Sequence, residues 1–422
     1  MATFRFLHCA DLHLDSPLRG LEADPDAPVD AIRGATRQAL TNLVDFAINE
    51  HVNFVVAAGD LYDGDWQDWR TGRFLIGEIK RLTDAGIPFV AIRGNHDAES
   101  VITRRLRMPS DIAWLLDHNR PQTVRLTNVP VSVHGQSFAT KAVTDDIASG
   151  YPAPDRDRFN IGLLHSSIDG REGHANYAPC SVERLRDHGY DYWALGHVHN
   201  REVLHEDPWI VFPGNLQGRH VNETGPKGAT LVTVTDNKIV NVSAESFDAV
   251  RWARIPIILT ADADEDLALT QIRAALAAEL EQSGGRLLAA RITVSGACAA
   301  HDSFVSDLGA AREKIRGEAL AVAGQGMIWT ETVEIATSPL AEIAAQKDRT
   351  DAMGQLIRAL ETVGGDEILN EVQAYARAML DKANPLRAAI GDDHAAVRVA
   401  NGEIPSDLRQ KAQALLLGSL GD

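Results

Sequence analysis

Short apolar runs alternate with amphipathic helical stretches in the first hundred residues. The run Phe4–Ala10 is mostly apolar, and the runs Phe54–Ala58 and Ile87–Ile92 are continuously apolar, which is typical of buried strands. Apolar residues at helical spacing fill the segments between them, Val29–His51 and Trp69–Ala85. Strand, helix, strand, helix, strand predicts right-handed crossovers and a parallel sheet.

From about Asn160 the pattern changes to short strands separated by Gly, Pro and Asn turns. The predicted strands are Ile161–Leu164, Tyr192–Leu195, Trp209–Phe212, Ala229–Thr235 and Ile239–Ala244. They predict a second sheet. The fold class is therefore α/β, a two-sheet sandwich flanked by helices.

The composition changes again near Arg254. Beyond it the pattern predicts strand 255–260, helix 264–282, strand 287–295, helix 302–323 and strand 327–336. This is a small α/β domain. From Pro339 onward Ala, Leu, Arg and Glu dominate and only helices are expected. We therefore expect three parts, at residues 1–250, 251–338 and 339–422.

Polar clusters follow five of the predicted strands. They are Asp11-Leu12-His13, Gly59-Asp60-Leu61-Tyr62-Asp63, Gly94-Asn95-His96-Asp97, the single His165, and Gly196-His197-Val198-His199. Each cluster alone is more often an ordinary turn or a hydrogen-bonded core histidine. Loops at the carboxyl edge of an open α/β sheet form its ligand site, so five clusters at such ends favour one shared site.

The residue types in these clusters are metal ligands. Asp, Asn and His together suit Mn²⁺, Fe²⁺ or Zn²⁺. His197 and His199 are two residues apart, so in an extended segment both imidazoles point the same way. Two ions about 3.5–4 Å apart are a common device for hydrolysing phosphate esters. Asp60 follows Gly59, which permits a tight turn, and is the natural carboxylate for both ions to share.

Charge and composition exclude some classes of protein. A formal net charge of −18 argues against a surface coated with phosphate-binding residues, although not against a local basic groove. The three cysteines have no paired spacing and are expected to be reduced core thiols. No apolar run reaches the roughly 18 residues of a membrane span, and no signal peptide is indicated. We expect a soluble, cytoplasmic protein without a membrane partner.

The clusters, read in order from Asp11 to His199, resemble the signature of the calcineurin-like metallophosphoesterases. That signature is Asp-x-His, Gly-Asp-x-x-Asp, Gly-Asn-His-Asp, a single His and Gly-His-x-His. The whole chain resembles the DNA-repair exonuclease branch of the family, the SbcD/YhaO-like nuclease subunits. The YhaO-like subgroup is the closer match, through Gly59–Trp66, Pro213–His220 and Glu223–Gly228.

The resemblance implies two divalent metal ions, with Mn²⁺ favoured over Fe²⁺ or Zn²⁺. One ion would be held by Asp11, His13, Asp60 and His199, and the other by Asp60, Asn95, His165 and His197. His96 would face the phosphate as general acid or transition-state stabiliser, and Asp97 would orient it. Archaeal and eukaryotic relatives often have a second histidine at the position of Asp63. A catalytic role inferred from that histidine therefore does not transfer to this chain.

The resemblance also implies a function. The chain would be a metal-dependent DNA exonuclease that acts in DNA repair. Residues 1–250 would be the catalytic domain, and residues 251–338 would form a cap that shapes the DNA path. Residues 339–422 would bind a coiled-coil ABC-type ATPase. A homodimer is a further possible assembly. One alternative is the same chemistry on a small nucleotide or phosphoester, against which Arg254–Asp422 counts. The other is a non-catalytic scaffold, against which the complete ligand set counts.

Several further residues have two interpretations. Trp66 and Trp69 could stack on unpaired bases, but packing against a neighbouring helix is favoured. A short basic run could contact a phosphate backbone or could be a solvated helix face; it consists of Arg104, Arg105 and Arg107. Arg219 and His220 follow a Pro-Gly-Asn turn, and their role stays open. The C-terminal helices either pack on each other or dock on another protein.

Overall fold

The computed structural model describes residues 3–16, 26–63, 69–98, 107–168, 178–323 and 328–340, together with Ala374 and Arg377. The described residues divide into two compact units. The first unit comprises residues up to 253 together with 283–290 and 328–329. The second comprises 254–282, 291–323 and 330–340. The predicted helical part at 339–422 lies almost wholly outside the described residues.

The elements alternate much as the periodicity predicts. The strands are β1 (Thr3–Cys9), β2 (Phe54–Ala58), β3 (Phe89–Ile92), β4 (Ala113–Leu115), β5 (Gln122–Arg125), β6 (Val131–Gly135), β7 (Phe159–His165), β8 (Tyr192–Gly196), β9 (Glu202–Glu206), β10 (Trp209–Phe212), β11 (Gly228–Thr235), β12 (Lys238–Ser246), β13 (Val250–Ile258), β14 (Leu287–Ala297) and β15 (Ile328–Ser338). The helices are α1 (Val29–Asn49), α2 (Trp69–Asp84), α3 (Asn95–Ala98), α4 (Val182–Asp187), α5 (Glu265–Gln282), α6 (His301–Ser306) and α7 (Leu308–Ala323). No helix in these ranges is both long and apolar enough to cross a membrane.

The first sheet has the order β12-β11-β1-β2-β3-β4. Strands β1 to β4 are parallel, as the crossover pattern predicts. The expectation that β11 and β12 belong to the second sheet is wrong, because β11 pairs antiparallel with β1 from Thr3 opposite Thr235 onward. The β11–β12 hairpin covers the edge of β1 that the parallel strands leave open.

The second sheet has the order β5-β6-β7-β8-β10-β9. Its four central strands are parallel, and β5 and β9 pair antiparallel at the two edges. Strands β4, β5, β6 and β9 were not predicted; of these, β5 (sequence QTVR) and β9 (sequence EVLHE) are edge strands with few apolar residues to indicate them. The α/β two-sheet sandwich flanked by helices is confirmed.

The core explains why β1 is mostly apolar on both of its faces. Phe4 and Phe6 point into the layer between the sheets, where Phe6 stacks on Phe54 with ring centroids 4.9 Å apart. Leu7 and Cys9 belong to the core cluster on the opposite face, together with α1 and α2. Because successive strand residues point to opposite faces, a strand buried on both faces has no polar alternation.

Strands β13, β14 and β15 form a third sheet, and helices α5 and α7 contact each other. One helix was predicted for residues 302–323. The structure instead has α6 and α7, separated at Asp307, whose φ of −142° is not helical. Within the second unit, α5 and α7 are joined by an ion pair between Arg273 and Glu318.

Candidate metal centre

The predicted ligand loops leave their strands through unusual backbone conformations. Asp11, His13, Asp60 and His197 have φ values of 51°, 42°, 52° and 106°. This region is uncommon for residues other than glycine, and such strain is concentrated at functional sites. The loops also approach each other very closely, because a Cβ atom on Gly196 would lie 2.0 Å from the carbonyl oxygen of Ala58. Glycine at this position therefore allows the second sheet to approach the first at the site.

One group of donors comes from the loop after β1 and the loop after β8. Asp11, His13 and His199 each place a ligand atom within 4.8 Å of the other two. The Nε2 atoms of His13 and His199 are 3.1 Å apart. Asp11 also accepts the backbone N–H of His197, with its two carboxylate oxygens 3.1 and 3.0 Å from the nitrogen. The two loops are thus tied together at the first group.

A second group lies around His165 at the end of β7. Asp60, His165 and His197 likewise place ligand atoms within 4.8 Å of one another. Nε2 of His165 is 2.9 Å from Oδ1 of Asn95 and 3.5 Å from Oδ2 of Asp60. The same Oδ2 is 3.9 Å from Nε2 of His13 in the first group. Asp60 therefore lies between the two groups.

The structure brings all seven predicted ligands to one edge of the sandwich. Asp11, His13, Asp60, Asn95 and His165 are buried. Burial alone would raise the pKa of Asp60, but His165 and His13 hold it well below its usual range. Burial would lower the pKa of His165, but Asp60 and Asp11 raise it to about 9. Converging oxygen and imidazole donors with buried carboxylates fit divalent metal ions.

His96 is held by two carboxylates, and neither of them is Asp97. Its backbone N–H donates to Oδ1 of Asp60 at 2.9 Å, and its ring Nδ1 lies 2.9 Å from Oδ1 of Asp63. Burial lowers the pKa of His96, but Asp63 and Asp60 outweigh it and raise that pKa overall. The contact expected from Asp97 is therefore made by Asp63.

Asp97 instead organises the ligand loops. Its carboxylate accepts the backbone N–H groups of Leu61, Tyr62 and Gly94 at distances of 2.9 to 3.1 Å. Burial, with a contribution from Asp60, raises the pKa of Asp97 to about 7. Asp97 thus links the loop that follows Asp60 to the turn that precedes Asn95, which explains why it turns away from the ring of His96.

Two residues at the site were not predicted to have a role there, Glu223 and Asp63. Oε1 of Glu223 lies 2.6 Å from Nδ1 of His199, and its other oxygen accepts from Asn215 and from the backbone of Arg219. A carboxylate behind a ligand histidine fixes the orientation of the ring. In the sequence, Glu223 was noted only as part of the resemblance to the YhaO-like subgroup at Glu223–Gly228. That resemblance does not indicate a contact with His199.

Arg219, whose role was open, belongs to the site. Its guanidinium lies 3.2 Å from Glu223 and 3.6 Å from Asp63, and only 14% of the side chain is exposed. His220 is 54% exposed and 3.7 Å from Glu223. Trp69 is 54% exposed at the start of α2, which contradicts the packed position that was favoured. Trp66, Arg104 and Arg105 lie outside the described residues, and Arg107 is exposed.

Comparison with known families agrees with this geometry. Residues 4–201 match the calcineurin-like phosphoesterase family. These residues form a calcineurin-like metallophosphoesterase domain. Residues 252–338 match the middle domain of metallophosphoesterase YhaO, which makes this chain YhaO-like. Members of the family bind divalent metals and are metal-dependent hydrolases.

Individual relatives match over part of their length. The Bacillus subtilis uncharacterized metallophosphoesterase YhaO is 34% identical over 60% of this chain and 63% of its own. The DNA double-strand break repair protein Mre11 of Sulfolobus acidocaldarius is 28% identical over 55% of this chain and 60% of its own. The chain thus spans about six tenths of these relatives. The solved structure of TT1561 from Thermus thermophilus covers 58% of this chain and 99% of its own, with 14% identity and a TM-score of 0.36.

Proposed function

We propose that this metallophosphoesterase is a DNA exonuclease that acts in DNA repair. The observation that carries the proposal is the complete set of seven donors, with Asp60 between the two groups and His96 beside them. The similarity to a protein named for DNA double-strand break repair supports DNA as the substrate. A non-catalytic scaffold has no need of this arrangement.

In this proposal the chain holds two divalent ions, and Mn²⁺ is the metal we favour. Asp11, His13, Asp60 and His199 would bind one, and Asp60, Asn95, His165 and His197 the other. Such ions supply a water-derived nucleophile and positive charge at a phosphate ester. His96 would supply the proton for the leaving oxygen, because imidazole is the side chain that exchanges protons near neutral pH.

The proposed activity is tested with the full chain on end-labelled single-stranded and double-stranded DNA. We expect hydrolysis with Mn²⁺, a different rate with Mg²⁺, and none with EDTA, because the site has no catalytic function without divalent ions. Bis(p-nitrophenyl) phosphate is assayed in parallel. Hydrolysis of this ester without any cleavage of DNA would favour a small phosphoester as substrate. Metal-loaded protein that hydrolyses neither substrate would favour a scaffold.

We further propose that residues 251–338 cap the DNA site and that residues 339–422 attach the protein to a coiled-coil ABC-type ATPase. The ATPase would provide a basic surface, which this chain with its net charge of −18 lacks overall. A homodimer is compatible with this arrangement. DNA and the ATPase as partners imply a cytoplasmic location.

The attachment is tested by shortening the chain to residues 1–340, which keeps β15 complete. We expect the shortened protein to hydrolyse bis(p-nitrophenyl) phosphate at the full-length rate, because all proposed ligands lie before residue 200. We also expect it to lose co-purification with a coiled-coil ATPase encoded nearby. Normal binding of that ATPase by the shortened protein would place the contact elsewhere.

A further inference from the structure

We infer that the exposed first turns of α2 bind unpaired bases of a DNA strand beside the metal centre. The surface consists of Trp69, Arg70 and Arg73, and we call it the α2 face. This role rests on the proposed function and deepens it, because it gives single-stranded DNA as the form that this surface binds.

Trp69 is the residue that points to a ligand. It is 54% exposed, although tryptophan is on average a highly buried residue type. No other Trp, Tyr or Phe side chain among the described residues is exposed. A tryptophan ring that stays in contact with water gives up the stabilisation that burial provides. Tryptophan is enriched at binding surfaces, because its flat ring offers a large contact area.

The neighbours of Trp69 on α2 favour nucleic acid over protein as the ligand. Arg73 lies four residues after Trp69, and side chains at this spacing are neighbours on one helix face. Every other exposed residue of α2 is glycine or charged, whereas a contact with protein would usually bury further apolar side chains. A ring that stacks on a base, next to guanidinium groups that contact phosphates, is typical of single-strand binding.

The first turn of α2 is attached to the loop that carries a proposed metal ligand. The hydroxyl of the buried Thr71 donates to Oδ2 of Asp15, which lies two residues after His13. Arg37 of α1 donates to the other oxygen of Asp15 at 2.7 Å, so this carboxylate is already paired. Because consecutive Cα atoms are about 3.8 Å apart, the Cα of Trp69 lies within roughly 25 Å of that of His13.

A DNA strand can therefore contact the metal centre and the α2 face at the same time. Stacked nucleotides advance roughly 3.4 Å each, so about seven of them cover the distance from His13 to Trp69. The bases of a duplex are stacked on each other and paired, and they offer no free ring to Trp69. The α2 face would thus select a single strand, or the unpaired end of a duplex, for the site.

The test measures binding of the full chain, loaded with Mn²⁺, to a fluorescein-labelled oligothymidylate of about 15 nucleotides. Phosphorothioate linkages keep the charge of the strand and slow its hydrolysis, and fluorescence anisotropy gives Kd. We expect Trp69→Ala to weaken binding by about 5- to 150-fold, the range found when a base loses an aromatic partner. Trp69→Phe should keep most of the affinity, because it retains a ring. The corresponding duplex should bind wild type and Trp69→Ala equally.

A strand of the same length without bases is the matched substrate control, because it keeps the phosphates and removes the stacking partners. Wild type and Trp69→Ala should bind this strand equally. Arg73→Ala should bind both strands more weakly, and the slope of log Kd against log salt concentration should fall by about 0.7, the share of one phosphate contact on a single strand.

Arg186→Ala is the matched protein control. Arg186 is an exposed arginine of α4 that contacts the adjacent Asp187, and α4 leads into the end of β8 opposite to the ligand loop. This variant should bind both strands like wild type. A loss of affinity as large as that of Arg73→Ala would show that general charge, and not the α2 face, determines binding.

Tryptophan fluorescence provides a second criterion. A base stacked on Trp69 should quench part of the protein emission, so DNA should quench wild type but not Trp69→Phe, although both bind. Three results would each overturn the stacking role: normal binding of the oligothymidylate by Trp69→Ala, an equal loss on the strand without bases, or unchanged quenching in Trp69→Phe. Wild type that binds both strands equally well overturns it too.

Cleavage of unmodified DNA separates this role from the proposed function. If the variants bind as expected but wild type leaves DNA intact, the exonuclease proposal fails and the α2 face stands. If wild type cleaves DNA and Trp69→Ala binds the oligothymidylate normally, the α2 face fails and the exonuclease proposal stands. If Trp69→Ala also loses co-purification with the coiled-coil ATPase in that case, the α2 face is a protein contact.

Discussion

Replacing Asp60 by alanine is expected to remove most of both metal ions from the protein. Oδ2 of Asp60 is 3.5 Å from Nε2 of His165 in one donor group and 3.9 Å from Nε2 of His13 in the other. Each proposed ion therefore loses a charged ligand, and the remaining donors are mainly neutral imidazoles. Elemental analysis of purified protein, after incubation with Mn²⁺ and removal of free metal, measures the change.

Asn95→Ala is the matched comparison for Asp60→Ala. Asn95 contacts His165, and its neutral amide belongs to one proposed ion alone, so occupancy should fall mainly at that ion. Asp60→Asn, which keeps the shape of the side chain, controls for loss of the hydrogen bond to the backbone of His96. Full metal occupancy in a folded Asp60→Ala protein would contradict the assignment of Asp60 as the shared ligand.

His96→Ala is expected to keep its metal ions and its DNA affinity while turnover falls by about 10²–10⁴-fold, the range typical of a lost general acid. The reason is that the seven proposed ligands remain intact and only the proton donor is removed. Turnover on DNA, metal content and DNA binding are measured on the same preparation. His205→Ala is a suitable control, because this histidine lies on the edge strand β9 and contacts the carbonyl oxygen of Pro208 in the turn before β10.

The competing outcome for His96→Ala is specific. His13, Asp60 and His96 also place ligand atoms within 4.8 Å of one another, so His96 has the geometry to be a ligand itself. If metal content falls in proportion to activity, His96 binds metal, and the general-acid role is wrong.

The sequence by itself determined that β1, β2 and β3 are buried parallel strands and where the ligand loops leave them. Strand β2 has the predicted bounds, Phe54–Ala58, because these residues form a continuous apolar run. Gly59 and Asp60 follow it directly. Asp11, Asn95 and His165 were located in the same way, each beside the end of a strand. These features depend on local sequence. The spacing of apolar residues indicates a strand or a helix, and a polar residue at the carboxyl end of a parallel strand lies at the edge of the sheet where the other strands also end.

Only the tertiary structure decided which elements and side chains meet. The β11–β12 hairpin joins the first sheet through the pairing of Thr3 with Thr235, and no local pattern indicates which open edge a strand will join. The family resemblance implied Asp97 as the partner of His96, yet the Asp97 carboxylate accepts three backbone N–H groups. Asp63, 33 positions away, contacts the ring instead. The physical reason is that the spacing of apolar residues along the chain indicates which residues are buried. It does not indicate hydrogen-bond partners, because these depend on how loops that are distant in sequence approach each other in the folded chain.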